Sequence, residues 1–117
     1  MILFIGADIL IKARIEQPCT IACPLDIPRL QHIAWYRCTT GEECRNDWDK
    51  NRIAHIQDMK DVIVDYPGRF EVLLNGTLTI KEVQADDDGK LYLCKGEIQF
   101  SGTVQNTTIV EIIKGIK

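Results

Sequence analysis

Apolar and polar residues alternate with a period of two in many short runs of the chain, and no window of helical length carries a sustained 3.6-residue repeat. Such alternation is typical of strands that bury one face. The pattern predicts nine short strands: Ile9 to Ala13, Cys19 to Cys23, His32 to Cys38, Arg52 to Ile56, Val62 to Asp65, Arg69 to Leu73, Thr77 to Val83, Lys90 to Gly96 and Thr107 to Lys114. Short strands at this spacing indicate an all-β sandwich or barrel.

Residues that favour chain reversal separate these runs. Tyr66-Pro67-Gly68 supplies a fixed φ angle followed by a residue that tolerates positive φ. Asn75-Gly76, between two alternating runs, is the sharpest hairpin signal in the chain, and a four-residue loop around it fits as well. Because there is no internal repeat or linker, residues 1–117 are expected to form one domain.

The charge and hydropathy of the chain argue against nucleic acid and membrane as direct partners. A net charge of −3 at pH 7 gives no basic surface for phosphates, so we expect no binding to nucleic acid. No run approaches the ~20 apolar residues of a membrane-spanning helix, so a membrane is expected only through a segment outside this chain. The apolar run from Met1 to Ile5 lacks a basic leader, and we interpret it as part of an edge strand.

Cysteine usage favours an oxidising compartment, because five cysteines in 117 residues are many for a chain whose thiols are kept reduced. Two triplets, Asn75-Gly76-Thr77 and Asn106-Thr107-Thr108, match the acceptor pattern for N-glycosylation. An unmodified turn or strand-edge asparagine fits either position equally well. Together these features predict an extracellular domain, secreted or at the cell surface.

Four residues form the most specific pattern. Cys23 precedes Trp35 by 12 positions and Cys94 by 71, and Tyr92 stands two residues before Cys94. This arrangement resembles a V-set immunoglobulin domain, as found in antigen receptors and innate immune-type receptors. The resemblance implies an immunoglobulin-like β-sandwich of variable type, with about nine strands in two antiparallel sheets. It also implies a Cys23–Cys94 disulfide packed against Trp35, with Tyr92 in the core.

The resemblance extends to the turn before Tyr92. It implies an ion pair between Arg69 and Asp88, which would close the lower end of the sandwich because an arginine fork fits a carboxylate. Two residues depart from the family pattern and bear on the geometry of this turn. Lys90 stands where the family usually has a small residue, and Gly89 falls one position early.

The remaining cysteines suggest a second disulfide. Cys38 and Cys44 bracket residues 39–43, which we predict to form a hairpin turn, and a bridge across it would stiffen the hairpin. Cys19 lies four residues before Cys23 and shares its inward parity, so we expect a buried free thiol.

A zinc site made by Cys19, Cys23, Cys38 and Cys44 is the metal-binding alternative. These spacings are longer than those common in zinc knuckles, and the site would take Cys23 from its disulfide. No metal or other cofactor is therefore expected. No catalysis is expected either, because neither histidine accompanies a recognisable nucleophile motif and no glycine-rich phosphate loop occurs.

The predicted binding surface lies on the outside of one sheet. If Trp35 points inward, alternation places Tyr36 outward, and Leu91 and Leu93 face outward on the strand of Cys94. This is the GFCC′ face of variable domains, and an exposed apolar patch there would mark a protein interface. Alternatively, long basic side chains cover the patch. Phe100 would join the patch if residues 100–103 form a joining segment, which they partly resemble; an ordinary hairpin is equally compatible.

Two functions remain open. The first is a non-catalytic immune-type receptor ectodomain module that recognises protein and homodimerises through the GFCC′ face, with Tyr36, Leu91, Leu93 and Phe100 as apolar contacts. The second is a cell-adhesion or structural immunoglobulin module that associates through its ends or its N-terminal edge strand. The apolar stretch from Leu3 to Ile11 supports the second function, because an uncovered edge accepts strands from a neighbour.

Overall fold

A computed structural model describes residues 9–23, 25, 30–46, 48–98 and 102–113. It contains nine strands: β1 (Ile9–Ala13), β2 (Cys19–Ile21), β3 (Leu30–Cys38), β4 (Arg52–Gln57), β5 (Asp61–Val64), β6 (Phe70–Val72), β7 (Leu78–Ile80), β8 (Leu91–Ile98) and β9 (Gly102–Ile112). Two short helices, α1 (Gly41–Asn46) and α2 (Trp48–Asn51), lie between β3 and β4, and one 3-10 turn spans Ala85–Asp87. Residues 1–8, where the sequence predicts the start of an edge strand, lie outside the described residues.

The strands form two sheets. One has six strands in the order β1-β9-β8-β3-β4-β5, and the other has three in the order β2-β7-β6. β1 runs parallel to β9, whereas the other neighbouring strands are antiparallel. The predicted all-β sandwich of about nine strands in two sheets is therefore confirmed, with β1 and β5 as the edges of the larger sheet.

The hydrophobic core lies between the sheets. Apolar residues of alternating strand positions meet there, as the period of two requires. The buried members are Ala13, Cys19, Ile21, Ile33, Trp35, Ile53, Ala54, Ile56, Phe70, Val72, Leu78, Ile80, Val83, Tyr92, Cys94, Val110 and Ile112. A disulfide between Cys23, two residues after β2, and Cys94 in β8 links one sheet to the other.

Gly76 contacts both Trp35 and Cys23 at the centre of the core. The indole Nε1–H of Trp35 donates to the carbonyl oxygen of Gly76 at 2.8 Å, which satisfies the one polar group of a side chain buried in the core. Gly76 has a φ of +94°, and an added Cβ would lie 3.2 Å from the Cβ of Cys23 and 3.3 Å from Cδ1 of Ile33. The backbone angle and the close packing both favour glycine at this position.

The lower end of the sandwich is closed by Asp87, and not by Asp88. The side chain of Asp87 is fully buried, and its Oδ1 accepts from Arg37 Nη2 at 2.9 Å, Arg69 Nη2 at 3.0 Å and the Tyr92 hydroxyl at 2.6 Å. Its Oδ2 accepts from the backbone N–H of Gln84 at 2.8 Å.

The predicted Arg69–Asp88 ion pair is therefore wrong in its acidic partner. Asp88 instead accepts a hydrogen bond from the backbone N–H of Ile112 at 2.8 Å, and Arg69 pairs with Asp86 and Asp87. The reason is local. The 3-10 turn ends at Asp87, so the carboxylate that points inward lies one residue earlier than the family pattern predicts, as Gly89 also does.

Four surrounding groups stabilise the ionised form of Asp87. Burial acts to raise the pKa of this carboxyl group, but the hydrogen bonds from Gln84, Tyr92 and Arg37 and the charge of Arg69 outweigh it. The net result is a pKa below the ordinary value. Burial and the hydrogen bond to Asp87 raise the pKa of Tyr92, so its hydroxyl remains a donor.

We expect Asp87→Asn to lower the free energy of unfolding by about 3 kcal/mol, because it removes the buried counter-charge of two arginines. Asp86→Asn is the matched control, since the Asp86 side chain is 61% exposed and forms ion pairs with the same arginines. The control should cost less than about 1 kcal/mol. Urea denaturation followed by tryptophan fluorescence measures both, and equal losses would contradict the central position of Asp87.

The same two variants also test how the stability of the domain depends on pH. Because folding lowers the pKa of Asp87 from its ordinary value of 3.8, the stabilisation is complete above that value and is lost as the pH falls through the folded pKa. The unmodified domain should therefore lose stability below about pH 4, and Asp87→Asn should lose less over the same range.

Candidate functional site

Three of the four apolar residues predicted to contact a partner are buried within the chain itself. Tyr36 is 6% exposed, Leu91 is 7% exposed and Leu93 is 4% exposed. The expectation of an exposed apolar patch is therefore wrong for these three residues. Phe100, the fourth predicted contact, lies outside the described residues, as does residue 101 of the segment that resembles a joining motif.

Tyr36 and Leu93 are covered by the helical segment between β3 and β4. Tyr36, Cys38, Cys44 and Leu93 form a second buried cluster on the outward side of the larger sheet, with Ala34 packed against it. A disulfide joins Cys38 at the end of β3 to Cys44 in α1. The second disulfide thus holds α1 against the part of the sheet near the end of β3. The sequence predicts a hairpin turn, and not a helix, at this position.

A short sequence signal for this helix is present. Thr40-Gly41-Glu42-Glu43 matches the capping-box pattern, in which a threonine and a glutamate three residues later cap the first turn. The Thr40 hydroxyl accepts from the backbone N–H of Glu43 at 3.0 Å, and the Glu43 carboxylate accepts from the backbone N–H of Thr39. Because α1 has only six residues, hydrophobic periodicity does not reveal it.

We call the outward surface of β8, β3 and β4 the front face. The half of it that lies away from the Cys38–Cys44 disulfide remains open. It contains a shallow depression of about 380 Å³. Its lining residues are His32, Ile33, Ala34, Tyr36, Arg52, His55, Gln57 and Glu97. Polar and ionisable side chains predominate, so the open surface is chemically unlike the apolar patch predicted from the sequence.

The two histidines of the depression have different surroundings. His32 Nδ1 accepts a hydrogen bond from the backbone N–H of Asp58 at 3.0 Å. Burial and the positive charge of Arg52 lower the pKa of His55. The Nδ1 atom of His55 is buried and has no hydrogen-bond partner in the described part of the chain.

Charge is arranged diagonally across the front face. Arg52 on β4 lies opposite Tyr36, and Glu97 on β8 lies opposite His32, so the cation and the anion occupy opposite corners of the depression. Arg52 Nε donates to Asp65 at 3.3 Å, and its guanidinium carries further donors. The lining residues include no serine, cysteine or threonine that would serve as a nucleophile beside the histidines.

The two glycosylation triplets occupy different environments. Asn75 is exposed in the turn between β6 and β7, and its Oδ1 accepts from the backbone N–H of Thr77 at 2.9 Å. Asn106 lies within β9 opposite Cys94, and its Oδ1 is buried without a hydrogen-bond partner in the described part of the chain.

The cysteines that a zinc site would need are otherwise engaged. Cys23 pairs with Cys94 and Cys38 pairs with Cys44, which excludes the tetrathiolate alternative in this structure. Cys19 is a buried free cysteine, as predicted, and burial raises the pKa of its thiol. Both disulfides fit an oxidising compartment. Within the described residues, no helix has the length and apolar character needed to cross a lipid bilayer.

Comparison with solved structures identifies the fold as that of a V-set immunoglobulin domain. The first immunoglobulin-like domain of human CD48 antigen, solved in solution, matches with a TM-score of 0.73 and 14% sequence identity, over 96% of this chain and 87% of that chain. The crystal structure of murine CEACAM1b matches with a TM-score of 0.70 and 16% identity, over 94% of this chain and 52% of that chain. No protein-family model and no curated protein matches the sequence.

We expect the double substitution Cys38→Ala/Cys44→Ala to release α1 from the front face. The loss of free energy of unfolding should be about 2 kcal/mol, because the closed loop is short. Amide hydrogen exchange in α1 should accelerate, and binding of a hydrophobic dye should increase as Tyr36 and Leu93 become exposed. Cys19→Ala removes a cysteine without removing a disulfide, and it should leave exchange in α1 unchanged. Unaltered exchange in the double variant would contradict the role given to this bridge.

Proposed function

We propose that this chain is a non-catalytic, receptor-type immunoglobulin module that recognises protein through the open part of its front face, outside the cell. The depression between β8, β3 and β4 carries the proposal, because it offers hydrogen-bonding and charged side chains around a small apolar floor. A polar surface is compatible with an interface between separately folded proteins, because such interfaces are on average about as polar as the rest of the protein surface. The two disulfides support an extracellular location.

A second copy of the chain is the occupant that we propose. Glu97 and Arg52 lie at opposite corners of the depression, so the surface is self-complementary in charge. A two-fold axis in the contact plane, perpendicular to the line between these residues, places each Glu97 against the partner's Arg52. Such an arrangement forms both ion pairs at once, as an isologous interface requires.

Charge reversal tests this proposal. Glu97→Lys and Arg52→Glu should each weaken self-association at least about tenfold, because each places like charges together twice in the dimer. An equimolar mixture of the two variants should associate as tightly as the unmodified domain, since the reversed charges complement one another. Sedimentation equilibrium of the single proteins and of the mixture measures the effect, with circular dichroism as the check on folding.

Glu71→Lys is the matched control, because Glu71 is an exposed residue of β6 in the other sheet. It should leave self-association unchanged. A domain that is monomeric up to about 1 mM would overturn the homodimer, because specific interfaces reach tighter dissociation constants. Equal weakening by Glu71→Lys and Glu97→Lys would show that net charge, and not the front face, controls association.

The edge strand β1 supports a second candidate, a cell-adhesion or structural module. β1 is the outermost strand of the larger sheet, and Ile9 and Leu10 on it are exposed. An apolar edge of this kind accepts a strand from another chain. In that case Leu10→Lys should abolish association while Glu97→Lys leaves it intact, which is the reverse of the result expected for the front face.

We also propose that Asn75 carries an N-linked glycan in the folded domain and that Asn106 does not. Asn75 lies in an exposed turn between Leu74 and Gly76, whereas Asn106 is half-buried within β9 and its side-chain oxygen is buried. A glycan needs an amide that reaches solvent.

For the domain secreted from mammalian cells, peptide-N-glycosidase F should remove a single glycan. Asn75→Gln should abolish the mass shift, and Asn106→Gln should leave it unchanged. A shift that survives in Asn75→Gln and disappears in Asn106→Gln would reverse the assignment.

A further inference from the structure

A small pocket at the lower end of the sandwich is lined by basic side chains. Its volume is about 220 Å³, and it lies where α2 and β4 meet the start of β6. Four of its lining residues are cationic, namely Arg37, Lys50, Arg52 and Arg69, and none is acidic. Tyr66, which is exposed, and Phe70 add aromatic walls.

The acidic neighbours of this pocket compensate only part of its charge. Arg37 and Arg69 share Asp86 and Asp87, and Arg52 is paired with Asp65. None of these three carboxylates lines the pocket. Lys50, at the end of α2, forms no ion pair within the part of the chain that the structure describes. Among the described side chains, these four cations therefore have three anionic partners, all of them outside the pocket lining.

Arg69 provides a second, independent observation. Its Nη2 donates to Asp86 at 2.8 Å and to Asp87 at 3.0 Å, and its Cζ lies 5.5 Å from the centroid of the Phe70 ring. The Nε–H, however, is buried and has no hydrogen-bond partner among the described residues. A buried donor without a partner is costly, and such groups commonly indicate a site for water or an ion.

We propose that this pocket binds a single oxyanionic group, either a carboxylate or a phosphate or sulfate. The guanidinium groups determine the chemical class of the ligand, because the planar arginine fork matches the oxygen geometry of these anions. The volume limits its size, since pockets for whole drug-sized ligands begin at about 300 Å³. The site is distinct from the depression of the front face, although Arg52 borders both.

The test is an NMR titration of the domain with sodium phosphate and, separately, with sodium acetate, each compared with sodium chloride at equal ionic strength. The Arg69 Nε–H resonance should shift and saturate, with a dissociation constant of about 1 to 10 mM. Lys50→Glu should weaken binding at least about threefold, because it places a negative charge beside the anion. Lys60→Glu, which makes the same change in net charge in the exposed turn between β4 and β5, should leave binding unaffected.

The two anions distinguish the sources of the ligand. Saturation by acetate supports a carboxylate, such as an acidic side chain of a protein, and saturation by phosphate alone supports a phosphate or sulfate group. The proposal is overturned if neither anion saturates the Arg69 signal beyond the effect of chloride. It is also overturned if Lys50→Glu and Lys60→Glu weaken binding equally, since the effect would then be one of overall charge.

Discussion

The covalent bridge between Cys23 and Cys94 is the constraint on which the rest of the sandwich depends, because it fixes the distance between the two sheets at the centre of the core. Trp35 fills the adjacent space and donates its only polar hydrogen to Gly76. By restricting the unfolded chain, a bridge over 71 positions contributes roughly 4 kcal/mol, a large part of the ~5 to 15 kcal/mol by which domains are stable.

Asp87 fixes the lower end in a different way. A carboxylate that is fully buried requires compensation, and Arg37, Arg69 and Tyr92 provide it from three separate strands or their ends. These contacts also decide where the two guanidinium groups point. The two arginines that hold Asp87 also line the basic pocket, together with Lys50 and Arg52.

The helical segment after β3 determines what the front face presents. Had residues 39–43 formed a hairpin turn, Tyr36 and Leu93 would have been left on the surface. With α1 fastened by Cys38–Cys44, those residues form a small second core, and the surface that remains open is polar and charged.

The sequence by itself determined the fold class, the approximate positions of the strands and the residues at the centre of the core, Trp35, Tyr92 and Cys94. Two patterns along the chain indicate which side chains point inward. One is the alternation with a period of two, and the other is the spacing of Cys23, Trp35 and Cys94. Tertiary structure alone decided which aspartate closes the lower end and whether Leu93 is exposed. Residue alternation reveals neither of them. The first depends on which carboxylate the end of the 3-10 turn brings to the arginines, and the second depends on a six-residue helix that packs over the sheet.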